Sequence, residues 1–142
     1  MKAGEAPTTL RVGLAQMCSS NRHADNIATA QSLIQEAAAD GAELVALPEV
    51  AGLMNRNARE ARSQVVAAED DPFIAAMQEE AARAGLWLHI GTTPVTSEDG
   101  RFRNHSVVID ANGAIRATYD KVNLFDVQLE GQAPIGESKR FA

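Results

Sequence analysis

The chain has 142 residues, 45% of them apolar and 23% charged, with a net charge of −6 at neutral pH. That length and balance fit one domain with its own hydrophobic core and exclude wholesale disorder. The 13 basic residues are scattered rather than clustered, which argues against nucleic acid or an anionic membrane as a main partner.

The single cysteine, Cys18, has no partner for an internal disulfide, and a reduced, cytoplasmic compartment is expected. Residues 1–9 read as a flexible arm without the apolar core of a signal peptide. No apolar run in the chain reaches membrane-spanning length. Residues 10–142 read as one domain, since no linker, repeat or low-complexity block divides them.

Residues 10–17 alternate large apolar with small or polar side chains, the period of a strand. Ser19, Ser20 and Asn21 then offer N-caps for a helix over 24–39. Its apolar stripe is Ile27, Ala30, Ile34 and Ala37, widened by Leu33 and Ala38. Asp40-Gly41 ends it, the glycine taking the left-handed position.

The run 44–47 reads as a short buried strand closed by Pro48, with Glu49 presented at its end. Strand, helix and strand form a β-α-β unit, which favours parallel pairing. A loop follows over 51–57, in which Leu53 and Met54 are expected on a pocket wall.

A short helix is expected over 58–67 and a longer one over 72–84. Asp71 caps the second, with Pro72 at its first position and Gly85 stopping it. Phe73, Met77, Ala81 and Ala84 form its buried face. A third strand covers 86–90, and a polar turn occupies 96–103. Two further strands, 106–110 and 114–119, flank Asn112-Gly113, a strong hairpin signal that makes the sheet mixed. Beyond Lys121 the chain reads mainly as a loop rich in Gly, Pro and Gln.

Glu49 suits general acid–base work, because a carboxylate at the end of an apolar strand is partly desolvated at the rim of a sheet. Lys121, also at a strand end, suits a fixed positive charge beside a developing oxyanion. By position alone each has a plainer alternative: a strand-end salt bridge for Glu49 and a solvated lysine beside Asp120 for Lys121. Glu137 falls in a loop and reads as solvated. Cys18 could be a nucleophile but reads as a buried, inert structural thiol, since free cysteines are often buried. His23, His89 and His105 are isolated and lack metal-ligand spacing, and Gly-rich phosphate loops are absent. No metal and no cofactor are expected.

Several blocks together resemble the N-terminal half of the nitrilase superfamily, the carbon–nitrogen hydrolases. They are the opening run 12–17, Leu47-Pro48-Glu49, the run 119–127 that begins Tyr119-Asp120-Lys121, and Gly136-Glu137-Ser138. Their order and spacing match as well. The likeness is nearest to the Nit branch, amidases of small ω-amido acids or of deaminated glutathione. The stretch 84–88 and the loop 131–134 lean toward the second group.

The resemblance implies an α/β fold, half of an αββα sandwich with a mixed sheet and flanking helices, and a Glu-Lys-Cys triad. On it Glu49 matches the general base, Lys121 the lysine that holds the tetrahedral oxyanion, and Glu137 a supporting glutamate that orients substrate and lysine. It implies a small amide as substrate and a homo-oligomer.

In the family the nucleophilic cysteine follows the second glutamate by some tens of residues, and Cys18 does not occupy that place. Residues 10–142 are therefore expected to be a truncated part of the domain, inactive alone. Its strands carrying Val12, Val45 and Val107 are expected to present apolar surface to the rest of the sandwich. The alternatives are a non-catalytic binding or assembly module and, less economically, a nucleophilic role for Cys18.

Overall fold

A computed structural model describes residues 9–124, 126–127, 135–136 and 141. Most of the expected arm, the loop 131–134 and Glu137 lie outside the described residues.

The first strand, β1, is short, Val12–Leu14. Helix α1 runs over His23–Ala39. Its N-cap is Arg22, which makes no side-chain capping bond, so none of Ser19, Ser20 and Asn21 fills that role. The polar stretch is tied down by the helix instead: Asn26, fully enclosed, accepts from the Ser20 N–H (2.7 Å) and donates to the Ser20 and Gly52 carbonyls (both 2.9 Å). Gly41 takes the expected left-handed conformation after the helix (φ +81°).

Strand β2 covers Leu44–Ala46, helix α2 Ala58–Gln64, and one 3₁₀ turn Ala68–Asp70. Helix α3 is Pro72–Ala84, bounded as its sequence dictates. The Asp71 carboxylate accepts from the Ile74 N–H at 2.8 Å, Pro72 opens the first turn, and Gly85 closes it at φ +66°.

The remaining strands are β3 (Trp87–Thr96), β4 (Phe102–Ile109), β5 (Ile115–Asp120), β6 (Asp126–Val127) and β7 (Ile135–Gly136). Strands β3 and β4 are longer than the hydrophobic runs alone indicate. The turn before β5 is built on four residues: the Gly113 N–H donates to the Asp110 carbonyl, and the Asp110 side chain accepts from the Asn112 and Ala114 N–H groups. Gly113 is left-handed (φ +82°). Asn112-Gly113 therefore marks the turn without being a two-residue hairpin loop.

The five-stranded sheet has the order β1-β2-β3-β4-β5. β1, β2 and β3 are parallel, and β4 and β5 add antiparallel to one edge. It is a mixed sheet with flanking helices, as the resemblance implies. β6 and β7 pair with each other apart from it.

The core lies between the sheet and the pair α1 and α3. Ala30 and Ile34 from α1 and Phe73, Met77 and Ala81 from α3 meet Val45, Leu88, Ile90, Val107 and Ile109. Each large aliphatic or aromatic side chain enclosed there contributes about 1.5–3 kcal/mol. Val45 and Val107 are thus fully buried under the helices, and the strands that carry them turn their other face outward.

The opposite face of the sheet is the open one. Register places Val12, Leu44 and Trp87 in one row across it, and Leu14, Ala46, His89, Val108 and Ala117 in the next. Leu14 and Tyr119 are 78% and 60% exposed there.

Candidate active site

The site is built at the carboxyl ends of the parallel strands. After β2, residues Leu47 to Ala51 keep bonding irregularly to β3. The Leu47 N–H donates to the His89 carbonyl (2.9 Å), the Thr92 N–H to the Pro48 carbonyl (3.3 Å), and the Ala51 N–H to the Thr92 carbonyl (2.8 Å). Gly91 permits this close passage: a Cβ there would lie 2.5 Å from the carbonyl oxygens of both Leu47 and Pro48.

Val50 follows Glu49 at φ +56°, a left-handed conformation that costs a β-branched residue about 1–3 kcal/mol. Its N–H is held by the Thr92 hydroxyl at 2.8 Å. The strained residue turns the chain directly after Glu49.

Lys121 comes from the other side of the sheet, at the end of β5. Its Nζ donates to Glu49 Oε1 at 2.8 Å, across 72 positions of sequence. Glu49 is half exposed (51%) and Lys121 less so (25%), so the carboxylate is less desolvated than its place after an apolar strand suggests. Asp120 does not compete for the lysine. It engages Arg103 (3.0 Å) and His105 Nδ1 (2.6 Å), which fixes the strand end from which Lys121 projects.

Asn104 is the residue that sequence reasoning missed. It lies on β4, fully buried, and its Nδ2 donates to the same Glu49 Oε1 at 3.1 Å. Its backbone carbonyl accepts from the Lys121 N–H at 2.9 Å. A signal was present, since asparagine is depleted in strand interiors. Placing the start of the strand at residue 106 hid it.

Glu49 also lines a cleft of about 670 Å³ together with Cys18, Met54, Asn55, Arg56 and Glu60. Met54 is on its wall as expected. Leu53 is not: it is buried with Ala61, Val65 and Phe102 in a small second core. Cys18 is exposed rather than buried, because the chain leaves the sheet after β1 and lines the cleft.

The second polar cluster lies inside the molecule. The side chain of Asp71 is fully enclosed, 3.9 Å from His23 Nε2. Burial pushes the Asp71 carboxyl above its ordinary range, against the opposing Ile74 N–H bond and the pull of His23. Burial likewise lowers the His23 imidazole, against the attraction of Asp71. Among the described residues no group of three or more His, Cys, Asp and Glu side chains has the geometry to hold a metal ion. None of the described helices is long and apolar enough to cross a membrane.

A mixed five-stranded sheet with helices packed on one face makes this an α/β protein, and its likeness to solved structures shows the nitrilase fold. The NitFhit protein of Caenorhabditis elegans superposes with a TM-score of 0.81 at 27% identity, over 92% of this chain and 32% of that one. The chain belongs to the carbon-nitrogen hydrolase family, whose model matches residues 11–140. It is 32% identical over 121 residues to a deaminated glutathione amidase of Yersinia enterocolitica, covering 84% of this chain and 42% of that protein. It is 30% identical over 135 residues to a chloroplastic omega-amidase of Arabidopsis thaliana, covering 93% of this chain and 36% of that protein. The chain thus spans about two fifths of the length of these curated relatives.

Proposed function

We propose that this chain supplies the acid–base and oxyanion-binding groups of an amidase that releases ammonia from a small carboxylated amide, of the deaminated-glutathione or ω-amido-acid type. The observation that carries this reading is the Glu49–Lys121 ion pair at 2.8 Å, at a strand-end site in a chain of this family. Relatives named for those two amidase activities support the substrate class.

In this reading a thiol attacks the amide carbon. As the S–C bond forms, the thiol proton passes to Glu49, and the carbonyl electron pair moves onto oxygen, whose charge Lys121 stabilises. Collapse breaks the C–N bond, and the departing nitrogen takes the proton from Glu49 and leaves as ammonia. Water then frees the acid by the same route in reverse roles. Glu137 acts as the supporting carboxylate that orients Lys121 and substrate. The thiol comes from a further segment of the protein, and the 142-residue chain alone is inactive.

The test is ammonia release from deaminated glutathione and α-ketoglutaramate by this chain and by the protein expressed from its complete reading frame. The first is expected to show none and the second to turn over. Glu49→Gln and Lys121→Ala should each lower turnover by about 10²–10⁴-fold with folding intact. Undiminished turnover in either variant refutes the assignment.

One observation favours a second reading. Cys18 is exposed and shares the cleft with Glu49. Turnover by the 142-residue chain that Cys18→Ala abolishes would make Cys18 the nucleophile.

A further inference from the structure

We propose that Asn104 is a positioning residue for the amidase chemistry, one that holds Glu49 by Oε1 and so leaves Oε2 as the oxygen that exchanges the proton. The inference rests on the amidase reading and names an atom and a residue within it.

Three observations converge on Asn104. Its side chain is enclosed completely, which is costly for an amide unless it is used. Both the Asn104 amide and the Lys121 ammonium donate to Oε1 of Glu49, at 3.1 and 2.8 Å. Among the described residues no hydrogen bond reaches Oε2. The orientation of the amide is dictated by chemistry: an ionised carboxylate only accepts, so the group that meets it must be the NH₂ end.

The third observation is the cost of that choice. With Nδ2 committed to Glu49, Asn104 Oδ1 is buried without a hydrogen-bond partner among the described residues. A purely structural asparagine would turn its amide to relieve whichever end was cheaper. Here the carboxylate decides.

The same residue also binds the other half of the pair, since its carbonyl accepts from the Lys121 N–H at 2.9 Å. Asn104 therefore fixes the distance between base and lysine from both sides. Glu49 is half exposed and projects from a strained turn. Without the amide it would swing about the lysine and present either oxygen, and the proton acceptor would lose its fixed position.

The test uses the whole chain labelled with ¹³C and ¹⁵N at one fixed pH. In Asn104→Leu, which keeps the volume without a donor, and in Asn104→Ser, whose hydroxyl is too short to reach, the Glu49 Cδ and Lys121 Nζ resonances should move well beyond their line widths. Backbone amide signals of β3 and β4 away from residue 104 and its cross-strand neighbour Pro94 should stay in place, which a general loosening of the sheet would not allow. The reciprocal measurement needs no change at Asn104. In Glu49→Ala, at an exposed position, the Asn104 side-chain amide protons should shift and exchange faster with solvent.

In the turning-over protein, Asn104→Ser should lower kcat about 10- to 100-fold, the span of a hydrogen bond to a charged group, with KM nearly unchanged. Unmoved Glu49 resonances in a folded Asn104 variant overturn the proposal. So do unmoved Asn104 amide signals in Glu49→Ala. Absence of turnover in the unsubstituted protein refutes the amidase reading instead, so the two failures are distinguishable.

Discussion

Replacing Gly91 by alanine tests the packing that carries the site. The added Cβ would sit 2.5 Å from the Leu47 and Pro48 carbonyl oxygens and 2.6 Å from the Pro48 carbonyl carbon, where ordinary contact begins at 3.4 Å. All three are backbone atoms, so no side chain can rotate away. The segment must retreat by roughly 0.9 Å, a displacement that van der Waals repulsion makes unavoidable. That segment is pinned by the Leu47–His89, Thr92–Pro48 and Val50–Thr92 hydrogen bonds. Overpacking costs about 1–3 kcal/mol, and about one lost hydrogen bond adds roughly 1 kcal/mol. The expected loss is therefore about 2–4 kcal/mol, or about 10 °C in Tm for a domain of this size.

Urea and thermal unfolding followed by circular dichroism measure it. Gly85→Ala is the control. Nothing lies within 4 Å of its added Cβ, and only the left-handed φ of +66° opposes it, a cost of about 1–2 kcal/mol. If Gly91→Ala proves no more destabilising than Gly85→Ala, the close passage of β3 beneath Glu49 is not what the site rests on.

Further outcomes follow from other parts of the molecule. Asp71→Asn keeps the acceptor for the Ile74 N–H and removes a buried charge, so at pH 7 the protein should unfold no earlier than the unsubstituted chain, whereas Asp71→Ala should lose about 1–2 kcal/mol of cap and partner. The raised Asp71 carboxyl costs stability at pH values above its native range, a cost that fades as pH falls toward 3.8, while the lowered His23 costs stability below its native value and nothing above 6.5. Asp71→Asn should therefore remove the first slope from a pH series of Tm values and enlarge the second, because His23 then loses the attraction of the Asp71 carboxylate. Asp110, whose carboxyl is held down by the Ala114 and then the Asn112 N–H bonds, anchors the β4–β5 turn, and Asp110→Ala should speed amide hydrogen exchange at both residues. Cys18 should react once per chain with a thiol reagent in the native state, since it is exposed; protection until unfolding would contradict that placement. Sedimentation should show the isolated chain self-associating through its open sheet face, with Leu14→Lys combined with Tyr119→Lys reducing the apparent mass; a monomer at high concentration would count against that face being adhesive.

Much of this protein is written locally in its chain. The bounds of α3 follow from Asp71, Pro72 and Gly85, because caps and stops act within one helical turn. The end of α1 follows from Gly41, and the turn before β5 from Asp110, Asn112 and Gly113, for the same reason. The alternation of β1-α1-β2 sets the parallel pairing, and Glu49 and Lys121 are legible as charges placed at strand ends.

Only the tertiary structure decided what those charges meet. Their ion pair closes 72 residues of separation, and register between strands is not a property of either segment. The burial of Val45 and Val107 rather than the opposite face depended on which side the helices cross. Leu53 and Cys18 exchanged their expected places, because apolarity and polarity do not say which way an irregular segment turns. Asn104 is the sharpest case. A polar side chain in a strand interior means little until folding brings an acceptor to it, and here the acceptor is the carboxylate on which the proposed chemistry depends.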